Sequence, residues 1–404
     1  MRILWVAQWF PPDLGALPAR ITEMSSVWTA EGHEVSVVTA FPHHPLGKIP
    51  DAYRGKFVVR EKYGDIDVIR CWLLALPNRS MWQRTLCQVS FSITAVLLGI
   101  WKAKRPDVVI VSSPPFFTLP GGWLFAKLIR APFVFEVRDL WPAVFVESGV
   151  MKKGLAYKVL EAMEKFFYRV AKRIIVVTRS FREDLTSRGF PEEKIGVIPN
   201  GADFETWTPG KPVFRDELGG EGKALFGFVG THGVLTGLEL ILDAATILRD
   251  DPNIAFAFVG EGADKERLMN IARERGLTNV RFHDAVAKAS VKDVYASLDA
   301  CLVSLVPVPF FGKFIPSKIF EILASEKPII AALSGEPAQI LREAGNFVVA
   351  PGDAAAFARE IQRVAADRAG AAEAGRKGRA YVAEHFNRRD LARQYIRELV
   401  RVAK

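Results

Sequence analysis

Cysteine is scarce in this sequence of 404 residues: Cys71, Cys87 and Cys301 are odd in number and scattered. That excludes a disulfide framework and the paired spacing of a zinc site, and it suits the reducing cytoplasm. Histidine is almost as rare, with six residues. His33, His43, His44, His283 and His385 show no triad or ligand spacing, and GHEV around His33 reads as a turn into a strand. No Walker sequence is present, so nothing supports P-loop chemistry. The opening MRILWVAQWF is a strand pattern without the charged flank and cleavage site of a secretory signal, so no signal peptide is expected. A long uncharged apolar run is missing too. The most lipid-like stretch, residues 82–101, approaches the ~20 residues of a membrane span. It nevertheless contains Gln83, Arg84, Gln88 and two serines, follows CWLLALPNRSM with its Trp72 and Arg79, and runs straight into the strand-like PDVVIVSS. Two readings stand: a helix packed on a domain that touches a membrane with one face, or a core helix.

What the chain does hold is unevenly spread. Half of it is hydrophobic, enough for a core in each of two or three domains. The net charge of +9 lies entirely in the first half: residues 1–200 carry 27 Lys+Arg against 18 Asp+Glu, residues 201–404 carry 27 of each. A basic half attracts nucleic acid, an anionic membrane surface or an anionic substrate. The sequence has no recognised nucleic-acid module and no interleaved basic-aromatic repeat, which weighs against the first.

Patterning predicts strand, loop, helix, strand at Arg2–Ala7, QWFPPDLGALPAR, 21–30 and EVSVVTAF, a βαβ unit and therefore a parallel sheet. Further strands are expected at 68–74, 107–113, 132–139, 173–178 and 195–200, with helices at 83–103, 120–129, 155–171 and 180–188. Residues 200–223, rich in Gly, Pro and charge, read as a linker. The opening motif then recurs from ALFGFVG onward. The expected fold is α/β, two Rossmann-like domains whose parallel sheets face across a cleft, with ligands outside the carboxyl ends of the strands. The domains are expected at 1–202 and 203–385, with a basic amphipathic helix in 386–404 packing back on the first.

Three stretches carry candidate chemistry. In PSKIFEILASEKPIIA, Ser317 is a candidate N-cap, and Lys318 lies in a first turn that disfavours a cation unless an anion sits there. Glu321 shares its face and suits the hydroxyls of a ribose; a stabilising Lys–Glu pair is the alternative. In GFVGTHG, glycines between strand and helix allow close approach to phosphate, although the pattern departs from G-x-G-x-x-G. His232 lies in that loop. Arg138-Asp139 closes a buried strand, where a carboxylate polarises a hydroxyl nucleophile or forms a structural ion pair.

These residues resemble retaining glycosyltransferase family 4, of GT-B architecture, nearly end to end: PPDLGALPAR, GHEVSVVTAFPHHP, VRDLWP, AKRIIVVTRSF, IGVIPNGAD, FVGTHGVLTGLELILDAA, FVGEG and PSKIFEILASEKPIIA. VRDLWP with PSKIFE looks most like the branch that builds bacterial surface polysaccharides, including N-acetylfucosamine transferases. The resemblance implies a nucleotide-sugar donor, UDP-linked, held by the second domain, with no metal or further cofactor. By position it implies Glu321 on the ribose, the backbone at Val286 on uracil, and Gly230, Thr231, His232 and Gly233 beside the diphosphate. Gly15 to Arg20 would face the phosphates from the first domain, and Asp139 would stand beside the catalytic-face histidine. Three positions depart: Lys313 replaces a family glutamate, Thr231 or His232 and Thr236 replace the phosphate-loop Arg and Lys, and Arg138 replaces the histidine. Lys318 then becomes the compensating phosphate cation. Domain closure would exclude water. The basic first half and the 71–105 region point to a polyprenyl-diphosphate-linked sugar at the inner membrane face as the acceptor. A sugar-nucleotide 2-epimerase of the same architecture is the rival enzyme. Asp65-Ile-Asp67, after Gly64, reads as a turn rather than a metal pair.

Overall fold

The apolar runs build two separate sheets in a computed structural model that describes residues 1–13, 15–43, 47–77 and 80–403. His44 and Arg79 lie outside the described residues. The chain divides into one unit of residues 1–199 and 388–404 and another of residues 200–387. With the last helix assigned to it, the first unit holds 33 Lys+Arg against 20 Asp+Glu, and the second 21 against 25.

The first sheet contains β1 (Arg2–Val6), β2 (Glu34–Ala40), β3 (Val58–Tyr63), β4 (Ile66–Cys71), β5 (Val108–Ser113), β6 (Phe133–Val137), β7 (Arg173–Val176) and β8 (Ile195–Val197). Their order is β3-β4-β2-β1-β5-β6-β7-β8, parallel except for β3, which runs antiparallel to β4. Helices 16–30 and 388–403 cover one face, with Trp28 Nε1 donating to the Ala392 carbonyl at 2.9 Å. Helices 81–94, 118–128 and 155–170 cover the other. Two expectations change here. The first helix starts at Ala16 rather than residue 21, because Pro18 falls in the first turn, where its missing N–H has no intrahelical acceptor. The edge strand β3 was not anticipated: its VVREKY is largely solvent-facing and reads as polar.

The second sheet is wholly parallel. It contains β9 (Ala224–Val229), β10 (Ile254–Val259), β11 (Val280–His283), β12 (Ala300–Ser304), β13 (Ile329–Ala332) and β14 (Phe347–Val349), in the order β11-β10-β9-β12-β13-β14. Every residue of β9, β10, β12 and β13 is buried, which explains their unbroken apolar sequences. The expected linker is largely part of this unit: Trp207 and Leu218 are buried in its core, and Phe204 and Phe214 pack against it.

Candidate active site

β9 delivers the chain to Gly230 at its carboxyl end. Gly230 adopts φ +137°, a conformation L side chains rarely take. Its N–H donates to the Val259 carbonyl at 2.9 Å, so the loop after β9 lies against the loop after β10. That approach requires glycine on the other side as well. A Cβ on Gly260 would stand 2.0 Å from the Gly230 oxygen, and one on Gly262 would stand 2.2 Å from the His232 oxygen. The sequence reading did not place Gly260 and Gly262 in the site; their signal is the second strand-then-glycine pattern, FVGEG.

Lys318 opens helix 318–324 and reaches back to this turn. Its ammonium donates to the Val229 carbonyl at 2.9 Å and lies 3.6 Å from the ring centroid of Phe228, a cation–π support the sequence reading missed. An added Cβ on Gly230 would come within 2.6 Å of the same nitrogen. Lys318 is half-buried as a residue, and burial of its ammonium pulls its pKa down to about 7, with Glu321 offsetting part of the shift. The structure therefore brings Gly230, Lys318 and Glu321 together. Val286 is half-buried after β11, packed on the cluster beneath the same sheet. Lys313 ends the turn Pro309–Lys313, 5.5 Å from the Phe310 ring centroid.

Two expectations about phosphate contact are corrected. His232 does not face outward: it is completely buried between Phe228, Phe258 and Phe282, and neither ring nitrogen has a hydrogen-bond partner. Burial, reinforced by Lys265 and Lys318, lowers its pKa to about 4, so it supplies no charge at neutral pH. Its backbone is occupied too, donating to Glu261 and accepting from Asp264. Gly230 and Gly233 also donate inward, the latter to Thr231. Thr231 is exposed, and among the described residues nothing accepts from its N–H. At helix 318–324, Ser317 makes no side-chain cap, because its backbone is already helical. Ile319 and Phe320 donate to the Pro316 and Ser317 carbonyls, which removes two of the N–H groups expected to face an anion.

In the first unit Arg138 and Asp139 follow β6. The side-chain ion pair considered for them is absent among the described contacts, and Arg138 Nε is buried without a partner. Burial lowers the Arg138 pKa to about 10, so it stays charged. Burial also raises Asp139 to about 6, with Arg138 pulling the other way. Gly15 is exposed at the start of helix 16–30, which has no side-chain cap. Arg20 corrects the expectation for its loop. Its side chain is fully buried, with Nε on Glu136 Oε1 at 2.9 Å and its other nitrogens on the Ile198 and Pro199 carbonyls, both at 2.9 Å. It holds the sheet to its helices and has no exposed atom to offer a phosphate. Among the described residues no group of three or more His, Cys, Asp or Glu side chains is placed to hold a metal ion. Asp67 lies beside the Gly64 turn, within 3.3 Å of Arg60 and 3.0 Å of Lys62.

Comparison with known proteins places the fold and the family. Residues 15–201 match the glycosyl transferase 4-like domain, and residues 223–367 match glycosyl transferases group 1. The putative colanic acid biosynthesis glycosyl transferase WcaI of Escherichia coli is 30% identical over 291 residues, 70% of this chain and 71% of that protein. Sucrose-phosphate synthase from Thermosynechococcus elongatus superposes with a TM-score of 0.77 at 19% identity, covering 99% of this chain and 98% of that one. HepE of Anabaena, solved with UDP and glucose, superposes at 0.72 and 17% identity, covering 99% of each chain. The two parallel-sheet units are the GT-B fold, and the chain belongs to the glycosyltransferases, a 4-like domain followed by a group 1 domain.

Proposed function

We propose that the chain moves a sugar from a UDP-linked donor, an N-acetylamino sugar, to a lipid-linked oligosaccharide, with retention of configuration. The product belongs to bacterial O-antigen, capsule or exopolysaccharide, made at the cytoplasmic face of the membrane. The observation that carries this reading is the ammonium of Lys318, held at the glycine turn after β9 with Glu321 one turn further along its helix. A cation on a flexible stem, half-buried against an aromatic face, is suited to a diphosphate whose charge grows as the glycosidic bond breaks. Glu321 accepts the ribose hydroxyls, the backbone at Val286 meets the base, and Thr231 N–H adds one donor to the phosphates. That HepE, of the same fold, was solved with UDP supports uridine.

In the reaction, the bond from the anomeric carbon to the diphosphate oxygen breaks, and the acceptor oxygen bonds to that carbon from the same side. The acceptor proton passes to the leaving phosphate oxygen. Asp139 orients the hydroxyl, while Arg138 and the helix start at Gly15 are assigned to phosphate. No metal is assigned a role, and the donor is the only small molecule required.

Thermal protection by UDP and UDP-sugars tests the donor site, since a ligand bound only to the folded state raises its melting temperature. Wild type is expected to be protected and Glu321→Ala to lose the shift. Protection that survives the substitution would remove Glu321 from the site. Asp139 gives a second expectation. Its folded pKa of about 6 exceeds the ordinary 3.8, so its contribution to stability is present below pH 3.8 and is lost as pH rises through 6. Asp139→Asn should therefore melt higher than wild type at pH 7 while kcat falls, by less than the ~10²–10⁴ of a residue that transfers the proton itself. A lower melting temperature with unchanged kcat would make the carboxylate structural.

A further inference from the structure

Three helices lie side by side on the face of the first sheet opposite the terminal helices. The first, 81–94, continues through a π turn to residue 99. It meets helix 118–128 at Gly121, where an added Cβ would stand 2.3 Å from the Ser92 carbonyl. Trp123 of that second helix meets Phe166 of helix 155–170 edge-on at 5.2 Å. Their outer sides are apolar: Trp101 is 84% exposed, Leu155 80%, Trp82 71%, Leu97 60% and Leu128 57%. Between the first two helices runs a groove of about 330 Å³ lined by Val89, Ile93, Val96, Leu97, Pro120 and Leu124. Monomeric proteins rarely gather so much apolar surface in one place without a use for it.

Most of the charges around this surface are positive. The sequence has no acidic residue between Asp67 and Asp107, nor between Asp107 and Glu136. Exposed cations in and beside these segments include Lys102, Arg105, Lys127 and Arg130, with Lys104 3.3 Å from Glu34. On the third helix Lys158 is exposed, while Glu161 is paired with Lys165 at 2.9 Å and Glu164 is buried. Among the described residues no helix is long and apolar enough to cross a membrane.

We propose that this three-helix face docks on an anionic bilayer, the first helix lying in the interfacial plane with Trp82 and Trp101 at its two ends. Indole rings favour the headgroup level, and an apolar helix face bordered by lysine and arginine binds anionic lipid by both terms at once. A second copy of the chain would set one cationic face against another, so the charges favour a lipid surface. The inference rests on the reading of a lipid-linked acceptor and deepens it by naming the surface that reaches the acceptor's membrane.

The test is flotation of the full chain with phosphatidylcholine vesicles containing one third phosphatidylglycerol, at low and physiological salt. Wild type should float. Leu97→Glu/Trp101→Glu, and separately Leu128→Glu, should lower the floated fraction at least tenfold, because each places a carboxylate at an exposed apolar site. Melting temperature and UDP protection should not change in either variant. If wild type stays at the bottom of the gradient at low salt although UDP protects it, the membrane reading itself fails. If wild type and both variants float alike, that reading stands and the face is wrongly assigned. If wild type without lipid forms dimers that the variants dissociate, the face is a self-interface and the proposal is overturned.

Discussion

Lys318→Met lowers kcat/KM for the sugar nucleotide by ~10²–10³, mostly through kcat, if Lys318 neutralises charge that develops on the leaving diphosphate. Methionine keeps the length and apolar stem of lysine but has no charge and no N–H. The Val229 carbonyl loses its 2.9 Å donor and Phe228 its cation, so a modest loss of stability accompanies the kinetic one. Glu321→Ala should behave differently: the ribose is remote from the breaking bond, so KM rises more than kcat falls. Steady-state kinetics of the two variants over a range of donor concentration distinguish these roles. An unchanged kcat in Lys318→Met would remove it from the chemistry.

If Lys318 holds the donor as proposed, its titration gives the affinity a pH dependence of definite sign. In the free protein its pKa lies near 7, depressed mainly by burial from an ordinary 10.5. A diphosphate held by Lys318, as proposed, would raise it again, so binding would take up a proton above pH 7. Affinity for UDP should then weaken by up to about tenfold per pH unit between pH 7 and the pKa of the complex. The ligand-free fold responds in the opposite direction. Between pH 7 and 10.5 the unfolded lysine binds more protons than the folded one, so this residue's contribution to unfolding free energy rises with pH. Lys318→Met should flatten both trends, in calorimetric titrations of UDP and in melting curves over the same pH range.

Glu136→Gln should cost ~3–5 kcal/mol of stability, because it leaves the fully buried Arg20 without a counter-charge. The loss extends beyond one contact. Ser112 donates to Glu136 Oε2 at 2.7 Å and accepts from Trp5 Nε1 at 2.7 Å, and Trp5 stacks on Trp28 with centroids 5.4 Å apart. Urea unfolding followed by tryptophan emission would detect this, since two of the nine indoles sit in the network. The affinity for UDP should be unchanged in the folded fraction. A variant of near wild-type stability with weakened UDP binding would return Arg20 to the phosphate role that its loop suggested.

Arg20 and Lys318 show which parts of the candidate site's geometry were legible. Lys318 and Glu321 were recognisable because both fall in one short helix bounded by Pro316 and Lys327-Pro328, so their shared face follows from spacing. Arg20 depends on partners 116 and 178 residues away, and no local pattern reveals that these enclose it. His232 was misplaced for the same reason, since its aromatic surroundings come from three different strands. The buried parallel strands stood out as continuous apolar runs, whereas β3 did not, since Arg60 and Lys62 leave no such run at the sheet edge. Gly260 and Gly262 were visible as residues but not as neighbours of Gly230, because backbone approach across two loops leaves no trace in composition.

The closing helix, 388–403, completes the core of the unit in which the chain began, with Tyr395 edge-on to both Trp5 and Trp28. During synthesis the second unit, ending at residue 387, therefore has all its residues before helix 388–403 of the first is made. A chain ended at residue 387 would hold every residue of the second unit but leave Trp5 and Trp28 without the ring of Tyr395. Loss of that helix would thus register at indoles from the other end of the sequence.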